Sequence, residues 1–295
     1  MKKLKIGFFI SFIAWIIFAQ SCMFFRTSDQ DAATEFSAKG IKAEVHYQIV
    51  EGINMHWVKT GKEGMPTIFF IHGSPGSWDA FKRYLQDSAL LQKFRMVSVD
   101  RPGFGYSDFG HPLNLDDQSK IIGVIMSKLY NGREFYIVGH SLGGPLCVRL
   151  ALDHPGNITG MVLLSAAMDP SLEKGEGWRK LFMHTPLQYL VPGAMRPSNY
   201  ELWYLKQDLK KLEADLKGRQ LPYTWMMHGD EDNMVPYNNV NFMKSRIDSN
   251  RITIITLKGA NHFIPWTFYE EIRKVLLELP VAEEKVGVST ITAGK

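Results

Sequence analysis

Cysteine is scarce in this chain, with two residues, Cys22 and Cys147, in 295. Two cysteines so far apart give no zinc-type spacing. If Cys22 is consumed by modification, Cys147 has no partner and no disulfide within the chain can form. Charge of one sign is lacking as well. The 34 Lys and Arg stand against 30 Asp and Glu, a formal charge of +4. The two signs are interspersed, so no nucleic-acid footprint is present. There is no internal repeat. An apolar fraction of 45% and a charged fraction of 22% exclude wholesale disorder. At this length one domain with an insertion is as expected as two domains.

The N-terminus differs in kind from the rest. MKKLKIGFFISFIAWIIFAQSC places Lys2, Lys3 and Lys5 before an apolar run from Ile6 to Ala19, with small residues at Ser21-Cys22. Residues 1–25 are therefore set aside as a signal peptide or membrane anchor. The position of Cys22 resembles a bacterial lipoprotein signal, in which the Cys after the cut is acylated and becomes the new N-terminus. Ala19 stands where that pattern prefers a Leu-like residue. A plain secretory signal and an uncleaved anchor running on through Phe24 and Phe25 are the other readings. All three export the domain, and the first tethers it to the bacterial cell envelope. Residues 26–42 are polar and weakly patterned, which predicts a tether. Residues 281–295 have no helical period and are expected to form a loose tail.

The body alternates strand and helix patterns. EVHYQIV and INMHWVKT are expected strands joined at Glu51-Gly52, and TIFFIHG, RMVSVD, FYIVGH and GMVLLSAA are short apolar runs. Helical patterns lie between them, among them WDAFKRYLQDSALLQ, LDDQSKIIGVIMSKLY and PLCVRLAL. This order predicts an α/β fold with a mostly parallel sheet and helices on both faces. In such sheets ligands bind beyond the carboxyl ends of the strands.

Chemistry-bearing residues stand at those ends. Gly139-His140-Ser141-Leu142-Gly143 fits G-x-S-x-G after a strand and before a helix, the context a nucleophile elbow requires. The turn is too sharp for Cβ atoms at its flanks, hence the glycines, and it lifts Ser141 above the sheet at a helix N-terminus. A tight turn carrying an incidental Ser is the competing explanation. A Ser nucleophile needs a base and an orienting carboxylate, here in the order Ser, acid, His. Downstream, HGDEDNMVP and GANHF each follow a strand and supply them.

With these residues in place, the chain resembles the α/β-hydrolases from about residue 43 to 280. HGSPGSWDAF resembles their oxyanion loop, DRPGFGYSD the stretch after the next strand, and GHSLGG, HGDEDNMVP and GANHF the elbow, acid turn and histidine loop. The resemblance implies an eight-stranded, mostly parallel sheet flanked by helices, with core segments 43–167 and 221–280. A small helical cap, 168–220, is inserted after strand 6. It implies Ser141 as nucleophile, Asp232 as acid and His262 as base. Asp230 and Asp169 compete with Asp232. His72, His140 and His228 compete with His262; the first and last are expected to be packed loop residues, and His140 belongs to the elbow. The oxyanion hole is assigned to the backbone N–H groups of Ser74 and Leu142. Asp100 and Arg101 are expected to be structural.

Within the cap, Ser198 is the expected N-cap of a helix ending at Gly218. Trp178, Phe182, Tyr189, Met195, Trp203 and Tyr204 either line an apolar acyl pocket or, the simpler expectation for any one of them, pack the cap on the core. Epoxide hydrolases and haloalkane dehalogenases resemble the chain in HGxPG but carry Asp at the elbow. Leu142 departs from the proline iminopeptidases, which have Trp there. The expected activity is therefore carboxylic ester hydrolysis through an acyl-enzyme, with no metal or organic cofactor and a small-molecule ester or acyl substrate. C–C or amide hydrolysis, acyl transfer and a non-catalytic binding role are the alternatives.

Overall fold

The computed structural model describes residues 2–282. Most of the segment expected as a C-terminal tail, 283–295, lies outside the described residues. Eight strands form one sheet: β1 (Ala43–Val50), β2 (Ile53–Thr60), β3 (Thr67–Ile71), β4 (Arg95–Val99), β5 (Phe135–His140), β6 (Gly160–Leu164), β7 (Tyr223–Gly229) and β8 (Ile252–Leu257). Their order is β1-β2-β4-β3-β5-β6-β7-β8. The pairs β1–β2 and β2–β4 are antiparallel and all others parallel.

Strands β3 to β6 are buried along their whole length, as continuous apolar runs such as Thr67-Ile-Phe-Phe-Ile71 require. Helices cover both faces and split the core in two. One half packs the helices Leu115–Leu129 and Gly143–Asp153 against the sheet; the other packs Trp78, Phe81, Tyr84 and the helix Tyr269–Leu277 against the opposite face. Because β4 and β5 flank β3 on opposite sides, the strand order reverses at β3. The crevice beyond its carboxyl end is where such a sheet admits a ligand.

Three expectations change at this level. Residues 26–42 are no loose tether. Ser28 caps a helix from Asp29 to Ala38, accepting the Asp31 N–H at 3.1 Å, and the helix buries Ala32 and Phe36. Its polar composition concealed two apolar residues one helical turn apart, with Phe36 stacked on Trp78 at 6.2 Å. The stretch WDAFKRYLQDSALLQ breaks into three short pieces, Trp78–Phe81, Lys82–Leu85 and Ser88–Lys93. Asp87 restarts the chain there as an N-cap by accepting the Leu90 N–H. Between β6 and β7, two 3-10 turns precede a helix spanning Met195–Asp215. It begins a turn earlier than expected. Pro197 fits its first turn, where a missing N–H costs nothing. Ser198 lies inside the helix and its N–H donates to Ala194 O.

The N-terminal helix Lys2–Ser21 rests its end on this inserted segment. Trp15 Nε1 donates to Leu190 O, Gln20 Nε2 to Tyr189 O, and Gly193 N to Ala19 O. Among the described residues no helix is long and apolar enough to cross a membrane.

Candidate active site

Close backbone approach builds the elbow. A Cβ on Gly139 would lie 2.3 Å from Gly143 O, one on Gly143 2.3 Å from Ile71 O, and one on Gly144 2.3 Å from Ala166 Cβ. Three glycines are therefore needed for β5, the following helix and the ends of β3 and β6 to meet. Ser141 adopts φ 54°, a left-handed conformation that costs a non-glycine residue of order 1–3 kcal/mol and concentrates at functional sites. Its N–H donates to Leu164 O at 2.9 Å, which fixes the turn against β6.

Asp232 and His262 meet across the ends of β7 and β8, with His262 Nδ1 donating to Asp232 Oδ2 at 2.8 Å. The other carboxylate oxygen accepts the N–H groups of Met234, at 3.0 Å, and Val235, at 2.8 Å. Burial alone would raise this carboxyl's pKa; the bonds from His262 and the Val235 N–H outweigh it and hold the group below the ordinary Asp value. With Nδ1 engaged by Asp232, the Nε2 of His262 has no hydrogen bond among the described residues. The Ser141 hydroxyl forms no hydrogen bond among the described residues. Ser141 and His262 nevertheless line the same two cavities, together with Ser74. Catalytic contacts of this kind commonly tighten only with substrate in place.

The competing residues have other work. Asp230 binds Lys258 Nζ at 3.0 Å and the Gly259 N–H at 2.7 Å in an outer turn. Asp169 accepts the Ser171 N–H in a turn of its own. His72 donates from Nδ1 to Gly73 O and accepts the Arg101 N–H on Nε2. His228 Nε2 donates to Val235 O. His140 Nε2 donates to His262 O at 3.0 Å, tying the elbow to the histidine loop. Burial, with the neighbouring His262, pushes the His140 pKa down to about 3, so this ring stays neutral.

Opposite the elbow, a Cβ on Gly73 would lie 3.0 Å from Ser141 Cβ, so the loop after β3 closes directly over the serine. Among the described residues the N–H groups of Ser74 and Leu142 have no acceptor. Pro75 has no N–H to offer.

Arg101 secures that loop from behind. Fully buried, it donates from Nε to His72 O at 2.9 Å and from Nη2 to Gly73 O at 2.9 Å. Its remaining N–H groups reach Gln118 Oε1 and both oxygens of Glu201, at 2.6 and 3.0 Å, on the Met195–Asp215 helix. Asp100 is also structural, accepting the Trp78 and Tyr106 N–H groups and bonding His56 at 2.7 Å.

None of the six aromatic and Met residues considered for an acyl pocket lines a cavity shared by Ser141 and His262. Tyr204 faces a separate cavity beside Leu142, and Trp178 is exposed with Arg179 over its ring. In the larger of the two cavities the large apolar side chains are instead Phe25, Met234, Phe263 and Trp266. Three of these stand one to four residues from Asp232 or His262, a signal the motifs contained; Phe25 lies in the stretch set aside as a leader. Among the described residues no group of three His, Cys, Asp or Glu is placed to hold a metal ion.

The sheet, elbow and strand-end residues are those of the α/β-hydrolase fold, and a model of that family, described as alpha/beta hydrolase fold, matches residues 66–190. The chain is 30% identical over 117 residues to an uncharacterized hydrolase of Saccharomyces cerevisiae, covering 39% of each chain. It is 29% identical over 119 residues to epoxide hydrolase 3 of Xenopus tropicalis, covering 39% of this chain and 31% of that one. The matched part thus spans well under half the length of these curated relatives. In three dimensions it is similar to the Cif epoxide hydrolase from Acinetobacter nosocomialis, with a TM-score of 0.65 at 19% identity over 84% of this chain and 94% of the other.

Proposed function

We propose that this protein is a serine hydrolase that cleaves carboxylic esters through an acyl-enzyme. The observation that carries this reading is a serine, not a carboxylate, at the elbow beside the Asp232–His262 pair. Ser141 Oγ adds to the ester carbonyl while His262 Nε2 takes its proton. The resulting oxyanion lies toward the Ser74 and Leu142 N–H groups, each such donor contributing about 3 kcal/mol in the transition state. Collapse breaks the C–O bond, and His262 passes the proton to the departing alcohol. Water then adds to the acyl group with His262 as base, releasing the acid and restoring Ser141. Asp232 holds the imidazole tautomer throughout.

The similarity to proteins named epoxide hydrolases favours a second reading, attack on an epoxide. Displacement at carbon by a serine alkoxide would leave an ether, which a water molecule cannot hydrolyse as it does an acyl ester. The serine therefore weighs toward acyl chemistry, and acyl transfer to another alcohol shares the same first half. For location, we propose export with a lipid on Cys22. The support is the basic-apolar leader and a Cys22 that is partly exposed with a free thiol.

Hydrolysis of p-nitrophenyl esters from acetate to palmitate, by the wild type and by Ser141→Ala, tests the reading. Ester turnover and labelling by an alkyl fluorophosphonate that both vanish in Ser141→Ala are expected. A folded wild type inert to every ester and to the phosphonate would overturn it.

A further inference from the structure

Ser74, Ser141, Met234 and His262 line two cavities at once, so the serine stands at a junction. The first cavity, about 650 Å³, is walled by Phe25, Met234, Phe263 and Trp266. These four side chains are 46, 64, 49 and 46% exposed, apolar surface left open among the described residues. Away from Ser74 and Ser141, the side chains of Asp79, Lys82 and Arg26 in the same cavity are engaged elsewhere. Asp79 accepts the hydroxyls of Thr27 and Ser77, Lys82 pairs with Glu35 at 2.6 Å, and Arg26 lies over Tyr106 at 4.2 Å. The second cavity, about 360 Å³, runs beneath the inserted segment and mixes apolar walls, among them Leu172, Leu202 and Val235, with the charged residues Glu173, Glu176 and Arg179.

Resting on the ester reading above, we infer that the first cavity is an acyl-chain subsite, the second receives the more polar alcohol, and Phe25 is a specificity-determining residue for chain length. An apolar chain entering the first cavity removes those four side chains from water, while the smaller second cavity holds charged side chains that suit a more polar group. Phe25 is held for this position. Ala194 N donates to Met23 O at 3.0 Å on one side, and Thr27 Oγ1 donates to Asp79 Oδ2 at 2.8 Å on the other. Between these pins Phe25 adopts φ 49°, a strained conformation for an aromatic residue, of the kind found at ligand clamps. The subsite wall thus comes from the N-terminal segment. Cleavage before Cys22 leaves it intact, and cleavage after Phe25 removes it.

The test compares kcat/KM for p-nitrophenyl decanoate and acetate in the full chain, in Phe25→Ala and in Phe25→Trp. Loss of one aromatic wall is expected to lower the decanoate-to-acetate ratio about tenfold. Phe25→Trp is expected to move the optimum to shorter chains by filling the cavity. Esters hydrolysed with the same ratio by all three proteins would overturn the inference. Should the wild type hydrolyse no ester, the reaction reading fails and binding decides instead. Titration of Ser141→Ala with cis-parinaric acid, with and without Phe25→Ala, is then the readout. Affinity weakened about tenfold by Phe25→Ala keeps the subsite; equal affinity, or none, rejects it.

Discussion

Replacing Glu201 by Gln removes one charge from a fully buried pair and changes little else in shape. Arg101 is left with His72 O, Gly73 O, Gln118 Oε1 and one amide oxygen as acceptors, but without a counter-charge. Breaking a buried pair by removing one partner costs about 3–5 kcal/mol. The surviving acceptors place the expected loss near the lower end, about 3 kcal/mol, or about 6–12 °C in Tm for a domain of this size. The same change frees the loop over Ser141, since Arg101 then has reason to turn toward water. A loosened oxyanion loop is expected to lower kcat about tenfold, less than the 10²–10³ lost with a whole donor, with KM moving less. Urea unfolding and ester kinetics measure both. Glu213→Gln is the control: it breaks the partly exposed Glu213–Arg246 pair on the same helix and is expected to cost under about 1 kcal/mol. Were Glu201→Gln as stable as that control and wild-type in kcat, the Arg101–Glu201 pair would not be what holds the loop.

Two pH effects follow from the site. His140 is neutral in the fold and protonates readily once unfolded, so acid favours the unfolded chain from about pH 6.5 downward. Between pH 7 and 5 its share of the loss is about 2 kcal/mol, and the stability advantage of wild type over His140→Gln should narrow by that amount in urea melts; an unchanged gap would contradict it. Asp232 has the opposite sense: its carboxyl is held low, so its stabilisation is complete above about pH 4 and is lost as pH falls through the folded value. The stability difference between wild type and Asp232→Asn should therefore shrink below pH 4, and a pH-independent difference would argue against the ion pair. At pH 7 the same variant is expected to lose about 10³–10⁴ in kcat because the imidazole tautomer is no longer held; near-normal turnover would show that another group orients His262.

Where the sequence could be read, the rule was local. Gly139 and Gly143 flank a turn that admits no Cβ, and strand, turn and helix follow each other within Phe135–Asp153. The order Ser141, Asp232, His262 rested on three strand ends, each visible as a short apolar run. Harder cases were those in which composition was ambiguous. The helix Asp29–Ala38 looks polar because only Ala32 and Phe36 face inward. Ser198 resembles a cap because Pro197 hides a helix that has already begun. The aromatic residues of the inserted segment were reasonable pocket candidates by type, and the structure turns them elsewhere.

The sequence alone determined an α/β sheet with a glycine-flanked elbow, and its motifs resembled those of the α/β-hydrolases, because short backbone geometries depend on neighbouring residues. Tertiary structure decided which side chains surround Ser141. Arg101 meets Glu201 a hundred residues away, and Phe25 reaches the cavity beside Trp266 from the far end of the chain. Such contacts are set by how the N-terminal segment and the insertion pack over the sheet, and no local pattern of residues encodes that placement.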